Sequence, residues 1–223
     1  MGSKMTDSAS VLKLMSWLSP VFPIGGFAYS AGLEQAVRSG HVGDRASLAA
    51  WVEVQLTQGA QWNDAVMLVE AHRNAHEIEK LTELSGLCKA LCVGQERLNE
   101  TVGQGTSFLQ AVSHWVGQAH FPGRETPLPV AVGIAAGVES IAPRLAVGAY
   151  LHAFASNQLQ CAIRLSVLGQ DGAAAALAGL EATIGRTAER AADSTLEDLG
   201  GAAFIADIAS MNHETLEPRL FLS

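Results

Sequence analysis

The two side chains best spaced for chemistry are His72 and His76, whose i, i+4 separation puts both imidazoles on one face of a helix. Glu79 follows three residues later and offers a third metal ligand on that face. The spacing is common, and the segment lacks the glutamate that follows the first histidine in a metalloprotease helix. Glu70, Arg73, Glu77 and Lys80 surround the pair, so the stretch reads first as the solvated face of an amphipathic helix. Cys88 and Cys92 repeat the spacing, but Leu87, Leu91 and Val93 flank them. They read as small buried hydrophobes and not as thiolate ligands.

Nucleophilic and phosphate chemistry fare no better. Ala28-Tyr29-Ser30-Ala31-Gly32 approaches the Gly-x-Ser-x-Gly turn of serine hydrolases, with alanine first and no strand before it. Ser30 as a helix N-cap accounts for the residue more simply. Gly103-Gln104-Gly105-Thr106-Ser107 lacks the lysine and the preceding strand of a phosphate-binding loop. Glu181, Glu189, Asp193, Glu197 and Asp198 follow helical spacing and read as a solvated face. The reading is therefore of a non-enzyme, with no catalytic residue, no metal site and no cofactor assigned.

The elements that would position any site are helices. Val11, Leu14, Met15 and Leu18 recur at helical spacing between a cap at Asp7 or Ser8 and a stop at Pro20. A second helix runs from near Ser30 to Gly40. Asp44 or Ser47 caps a third, carrying Leu48, Trp51, Val52 and Leu56, and Asn63 or Asp64 caps a fourth. Further helices fit 81–91, 96–116, 130–138, 145–168, 173–184 and 188–209, with a proline-marked loop over 117–129. No period-2 run of β-branched residues exists. The expected fold is all-α: a single-domain bundle of about nine or ten helices over residues 8–211, with a disordered N-terminus at 1–7 and a C-terminal tail at 212–223.

Composition agrees. The 223 residues are 48% hydrophobic and 16% charged, enough apolar content for a sizeable core with surface left for a partner. A net charge of −8 disfavours nucleic acid. The most apolar stretch, 128–138, is too short to span a membrane, and three cysteines fit a reduced, cytoplasmic setting. Met5 can serve as the natural start behind a vector-derived remnant.

Two segments stand out. Ser19-Pro20-Val21-Phe22-Pro23-Ile24-Gly25-Gly26-Phe27 cannot be one helix, yet carries four large apolar residues. The chain ends on Pro218-Arg219-Leu220-Phe221-Leu222-Ser223, where apolar and arginine side chains have the character of an interface anchor. These segments resemble the UreF family of urease accessory proteins. The first match runs through Pro23-Ile24-Gly25-Gly26-Phe27-Ala28-Tyr29-Ser30-Ala31-Gly32-Leu33-Glu34, with Ala28 where serine is usual. Asn157-Gln158-Leu159 and the stretch from Arg164 to Gly172 continue it, with Val167 replacing a proline. His213-Glu214-Thr215-Leu216 and Arg219-Leu220-Phe221 close it, with Pro218 where serine is common.

The resemblance implies an all-helical, dimeric, non-catalytic maturation factor. It would bind the accessory protein UreD (UreH in some systems) and the GTPase UreG on apo-urease, allowing GTP-dependent nickel insertion. It places partner contacts at Phe22, Pro23, Ile24, Gly25, Gly26, Phe27, Tyr29 and Ser30, and at His213, Glu214, Arg219, Leu220 and Phe221, in a tail that orders on binding UreD/UreH. Arg164, Arg186 and Arg219 are each available as an arginine finger toward the GTPase, and no spacing singles one out. The alternative from another class is a nickel metallochaperone using His72 and His76.

Overall fold

A computed structural model describes residues 2–223, with side chains from Ser8 onward; the stretch 1–7 expected to be disordered falls outside the residues whose side chains are described. The described residues form ten α-helices and no strand: α1 (Gly2–Trp17), α2 (Leu33–Arg38), α3 (Arg45–Gln58), α4 (Ala60–Arg73), α5 (Ile78–Ala90), α6 (Gln95–Val112), α7 (Leu128–Val138), α8 (Pro143–Arg164), α9 (Gln170–Asp193) and α10 (Phe204–His213). Three short 3₁₀ turns, Gly26–Ala28, Gln118–His120 and Leu196–Asp198, punctuate the connections. The fold is all-α, as expected.

The centre of the bundle is α4, which buries Trp62, Ala65, Val66, Met67, Leu68 and Val69 on every side. Its closest neighbour is α7, apolar around its whole circumference. A Cβ on Gly133 would lie 2.3 Å from the Leu68 carbonyl oxygen, and one on Gly137 would lie 2.6 Å from that of His72. The Gly-x-x-x-Gly spacing of α7 thus lets the two backbones approach where any side chain would hold them apart. Outside this pair, α8 and α9 pack along each other, and α3 lies against α9. The capping signal before α3 is realised in full. The Asp44 carboxylate accepts the Ser47 N–H at 2.8 Å, and the Asp44 N–H donates back to Ser47 Oγ at 3.1 Å.

Several boundaries differ from the sequence reading; α5 begins at Ile78, α8 ends at Arg164 and α9 begins at Gln170, each within about a turn of the expected bound, and three others are instructive. Helix α4 opens at Ala60 after an extended Gly59, not at Asn63 or Asp64, because those two side chains serve tertiary contacts. Asn63 Oδ1 accepts the Gly200 N–H at 2.9 Å, and Asp64 binds Arg97 and Tyr150. Helix α6 stops at Val112, short of residue 116. The break expected between 184 and 188 does not exist: α9 runs through exposed Gly185 because Thr183, Ile184, Thr187 and Ala188 bury a continuous face. Packing there outweighs the roughly 1 kcal/mol helix penalty of glycine. The chain breaks instead over 194–203, where Thr195 caps a 3₁₀ turn and Gly200-Gly201 follows. No helix among the described residues is long and apolar enough to cross a membrane.

Candidate functional site

The proline- and glycine-rich loop after α1 and the segment after α10 lie side by side. Their meeting depends on Gly32, which opens α2 with φ +80°, and at which a Cβ would stand 2.8 Å from the Ser210 nitrogen. This contact seats α10 on α2 and brings the end of the chain over the loop. Two backbone hydrogen bonds then join them: the Ser30 N–H donates to the Ser223 backbone oxygen, and the Leu222 N–H donates to the Ala28 carbonyl, both at 2.8 Å. The Ser30 hydroxyl also donates to Ser223, and its oxygen accepts the Glu34 N–H at 3.3 Å, as a cap would.

Glu34 is the hub of this arrangement. It is buried, and its carboxylate accepts the backbone N–H of Leu220 at 2.7 Å and of Phe221 at 2.9 Å. The fully buried ring of His213 lies between two carboxylates, with Nδ1 2.7 Å from Glu96 Oε2 and Nε2 3.3 Å from Glu34 Oε2. Arg219 pairs with the other Glu96 oxygen. Glu214 reaches the opening turn of α6, accepting the N–H groups of Gln95 at 2.7 Å and Glu96 at 3.2 Å. Gly94 supplies no side-chain cap there, so a carboxylate from the tail does.

The far end of the tail touches the buried charges of the core. Ser223 donates its hydroxyl hydrogen to Glu100 at 3.2 Å. Glu100 lies 3.6 Å from Arg97, which binds Asp64 at 2.6 Å, and Asp64 accepts the Tyr150 hydroxyl at 2.7 Å. Burial raises the Glu100 carboxyl above the usual carboxylate range in spite of Arg97, and burial beside Asp64 holds the Tyr150 phenol far above its own. Burial works against the Arg97 guanidinium, but Asp64 and Glu100 outweigh it and keep the cation charged. This network floors a cavity of about 590 Å³ enclosed by the loop, α6 and α8.

The expected partner residues divide between core and surface. Phe22 is an anchor, its ring 5.5 Å from that of Phe108 and 6.2 Å from Trp115. Ser30, His213 and Phe221 are also buried, Phe221 beneath the Arg164 guanidinium at 4.2 Å. Ile24, Gly25, Gly26 and Tyr29 are half-buried, and Pro23, Glu214, Arg219 and Leu220 are exposed. Phe27 is 71% exposed. Of the stretch 212–223 expected as a tail, Asn212 and His213 close α10 and the rest lies on the chain's own body. Sequence reasoning did not single out Glu96, Glu100 or the hub role of Glu34, whose only local signal is a lone carboxylate among the apolar positions of α2.

The metal-site geometry assumed for His72 and His76 is absent. Helix α4 ends at Arg73, so His76 lies beyond it, edge-on to His120 at 5.7 Å, while His72 Nε2 sits 2.7 Å from the Ile141 carbonyl oxygen. Among the described residues no group of three or more His, Cys, Asp or Glu side chains could hold a metal ion. Cys88 and Cys161 are buried and Cys92 half-buried, all three as free thiols.

Fold and site together define an all-helical protein whose organised feature is a platform built from its own loop and its own C-terminal segment. The family model described as UreF matches residues 42–181. Urease accessory protein UreF of Rhizobium etli is 49% identical over 99% of this chain and all of the relative. The protein of the same name from Mesorhizobium japonicum is 48% identical over 98% of the chain and all of its own length. Urease accessory protein UreF 1 of Brucella canis is 47% identical over 97% of the chain and 95% of its own length. The chain belongs to the UreF family of urease accessory proteins.

Proposed function

We propose that this protein bridges a UreD/UreH-type accessory protein and the GTPase UreG on apo-urease, so that nickel, as cargo, is inserted at the cost of GTP. It acts as a homodimer in the cytoplasm and regulates the GTPase without catalysing a reaction itself. The observation that carries this reading is the join between loop and tail, which makes one platform of the two segments that resemble the family. Around the join, Val21, Phe27, Leu220 and Leu222 are exposed, and α10, which leads into the tail, leaves Phe204, Ile205, Ile208 and Met211 exposed along one face. Large apolar side chains left in water in such numbers favour a protein partner that removes them from it. The three arginines considered for the GTPase are each engaged: Arg164 with Phe221 and the Phe27 carbonyl, Arg186 with Thr183, Arg219 with Glu96.

Co-purification from cells carrying the urease accessory genes tests the reading. Phe27→Asp and Leu222→Asp place a charge at exposed positions, so each variant keeps the helical circular dichroism of the parent. Each loses capture of UreD/UreH by about tenfold or more, as burying a lone charge at an interface centre requires. Undiminished capture by both variants overturns it.

A further inference from the structure

The cavity of about 590 Å³ beneath the loop falls within the range of sites that hold small organic ligands, roughly 300–1,000 Å³. Leu18, Phe22, Ile24, Leu128 and Phe154 give it an apolar lining. Its roof is fixed in place, because Asn157 and Arg164 of α8 donate to the Tyr29 and Phe27 carbonyls at 3.0 and 2.7 Å. Its polar part is unfinished. Gln61, in the first turn of α4 and one turn before Asp64, lines the cavity and is 3% exposed, yet its carboxamide has no partner among the described residues. A buried amide without a hydrogen bond is costly, and the neighbouring Trp62 indole avoids that cost by donating to the Asp198 carbonyl at 2.9 Å. Gln104, one turn after Glu100 on α6, also lines the cavity. It donates its Nε2 hydrogen to Glu100 at 3.3 Å, which leaves its own carbonyl oxygen unengaged.

The charges on the cavity floor are already matched. Arg97 binds Asp64 at 2.6 Å and has Glu100 at 3.6 Å, and Asp64 also accepts the Tyr150 hydroxyl at 2.7 Å. An anionic ligand would meet two carboxylates there, a cationic one would meet the guanidinium, and either would give up its hydration. A neutral group that both donates and accepts incurs neither penalty. We infer that the cavity is a binding site for a small neutral amphiphile, whose alkyl body lies along the apolar lining and whose carboxamide-like head exchanges hydrogen bonds with Gln61 and Gln104. A primary amide offers two donors and an acceptor, which complements the donors and acceptor of Gln61 and the free oxygen of Gln104. The site belongs to this chain alone and does not depend on the docking role proposed above.

Titration of the full-length protein with octanamide, a neutral primary amide, tests it against octanoate and octylammonium, which carry the same chain on a charged head. Calorimetry should give one saturable octanamide site per chain, with both charged probes weaker by about tenfold or more. In ¹⁵N spectra the side-chain NH₂ signals of Gln61, identified by their absence from Gln61→Met, should move as octanamide is added. Gln61→Met removes an amide that has no partner to lose, so the fold is kept while octanamide affinity falls by about fivefold or more. Ser156→Trp, a change at a half-buried position in the cavity wall, should fill the space and abolish binding of the probe. Absence of saturable octanamide binding, equal affinity for the three probes, or undiminished affinity in Gln61→Met overturns the site. None of these readings involves UreD/UreH, so failure of the site and failure of the docking role are told apart.

Discussion

The carboxylate of Glu34 accepts the backbone N–H of Phe221 at 2.9 Å, joining positions 187 apart in sequence. That contact makes a tertiary element out of a chain end, a region ordinarily frayed and polar. The same carboxylate takes the Leu220 N–H and faces the His213 ring, so one side chain in the first turn of α2 decides whether the C-terminal segment has a place to lie.

Glu34→Ala should therefore destabilise the protein and loosen its tail together. Hydrogen bonds to a charged acceptor contribute on the order of 1.5–3 kcal/mol, and the alanine leaves two backbone donors without a partner. The expected loss is about 2–4 kcal/mol by urea unfolding, and amides after residue 214 should exchange at the rate of an open chain. Glu34→Gln keeps one acceptor oxygen and should lose less. An alanine variant as stable as its parent would contradict the hub role.

How much of this was legible in the sequence depends on the range of the forces involved. The helices were, because Asp44-x-x-Ser47 is a local capping signal and Leu48, Trp51, Val52 and Leu56 show helical period without any tertiary knowledge. The two unusual segments were also visible, since prolines and glycines beside large apolar residues contradict an ordinary loop. Their contact was not. Nothing local in Glu34 announces Phe221, and nothing in His213 announces Glu96, because tertiary polar contacts have no sequence period. The same limit misplaced the start of α4. Asn63 and Asp64 carry the composition of a helix cap, but their side chains are spent on Gly200, Arg97 and Tyr150. His72 and His76 failed in the reverse way: their spacing implied a shared face on a helix that ends between them.

Close approach of α4 and α7 gives a second prediction. Gly133→Ala puts a methyl carbon where only 2.3 Å separates it from the Leu68 carbonyl oxygen, and backbone cannot swing aside as a side chain can. Overpacking of this kind costs about 1–3 kcal/mol or more. Gly179 is the control: it is exposed in α9 with nothing within 4 Å of its Cβ position. There alanine should stabilise by about 0.5–1 kcal/mol through lower unfolded-chain entropy and better helix propensity. Thermal unfolding of the pair should thus move in opposite directions.

The thiols should separate by burial. Burial pushes the Cys161 thiol up to about 12, raises Cys88 further, and raises half-buried Cys92 as well. With so little thiolate present near neutrality, Cys88 and Cys161 should resist a soluble disulfide reagent, and Cys92 should be the first to react. Labelling the folded protein should approach one thiol per chain, rising to three in denaturant. Prompt reaction of all three without denaturant would show that the helices around them open readily.

Glu100 makes the stability depend on pH in a direction that runs against most carboxylates. Its carboxyl is raised above the ordinary value of 4.5 by burial, with Arg97 and the Ser223 hydroxyl only partly offsetting the effect. The folded state therefore holds this proton more tightly than the unfolded chain does. The stabilisation that follows is complete below about pH 4.5 and is lost as pH rises through the folded-state value. In Glu100→Gln the group no longer titrates, and carboxylates distant from it cancel from the comparison, Asp64 on the shared Arg97 being the one neighbour coupled to it. Unfolding free energy of the wild type minus that of the variant, measured by urea at a series of pH values from about 4 to about 7, should fall as pH increases. A difference that rises with pH would mean that Arg97 dominates burial at this site, and the carboxylate would then be held by its ion pair. Because Ser223 donates to Glu100, amide exchange at the end of the tail over the same pH range reports this one contact separately from global unfolding. A charged acceptor strengthens the Ser223 contact, so tightening at this one bond is the expected result even as the core beneath it loses stability.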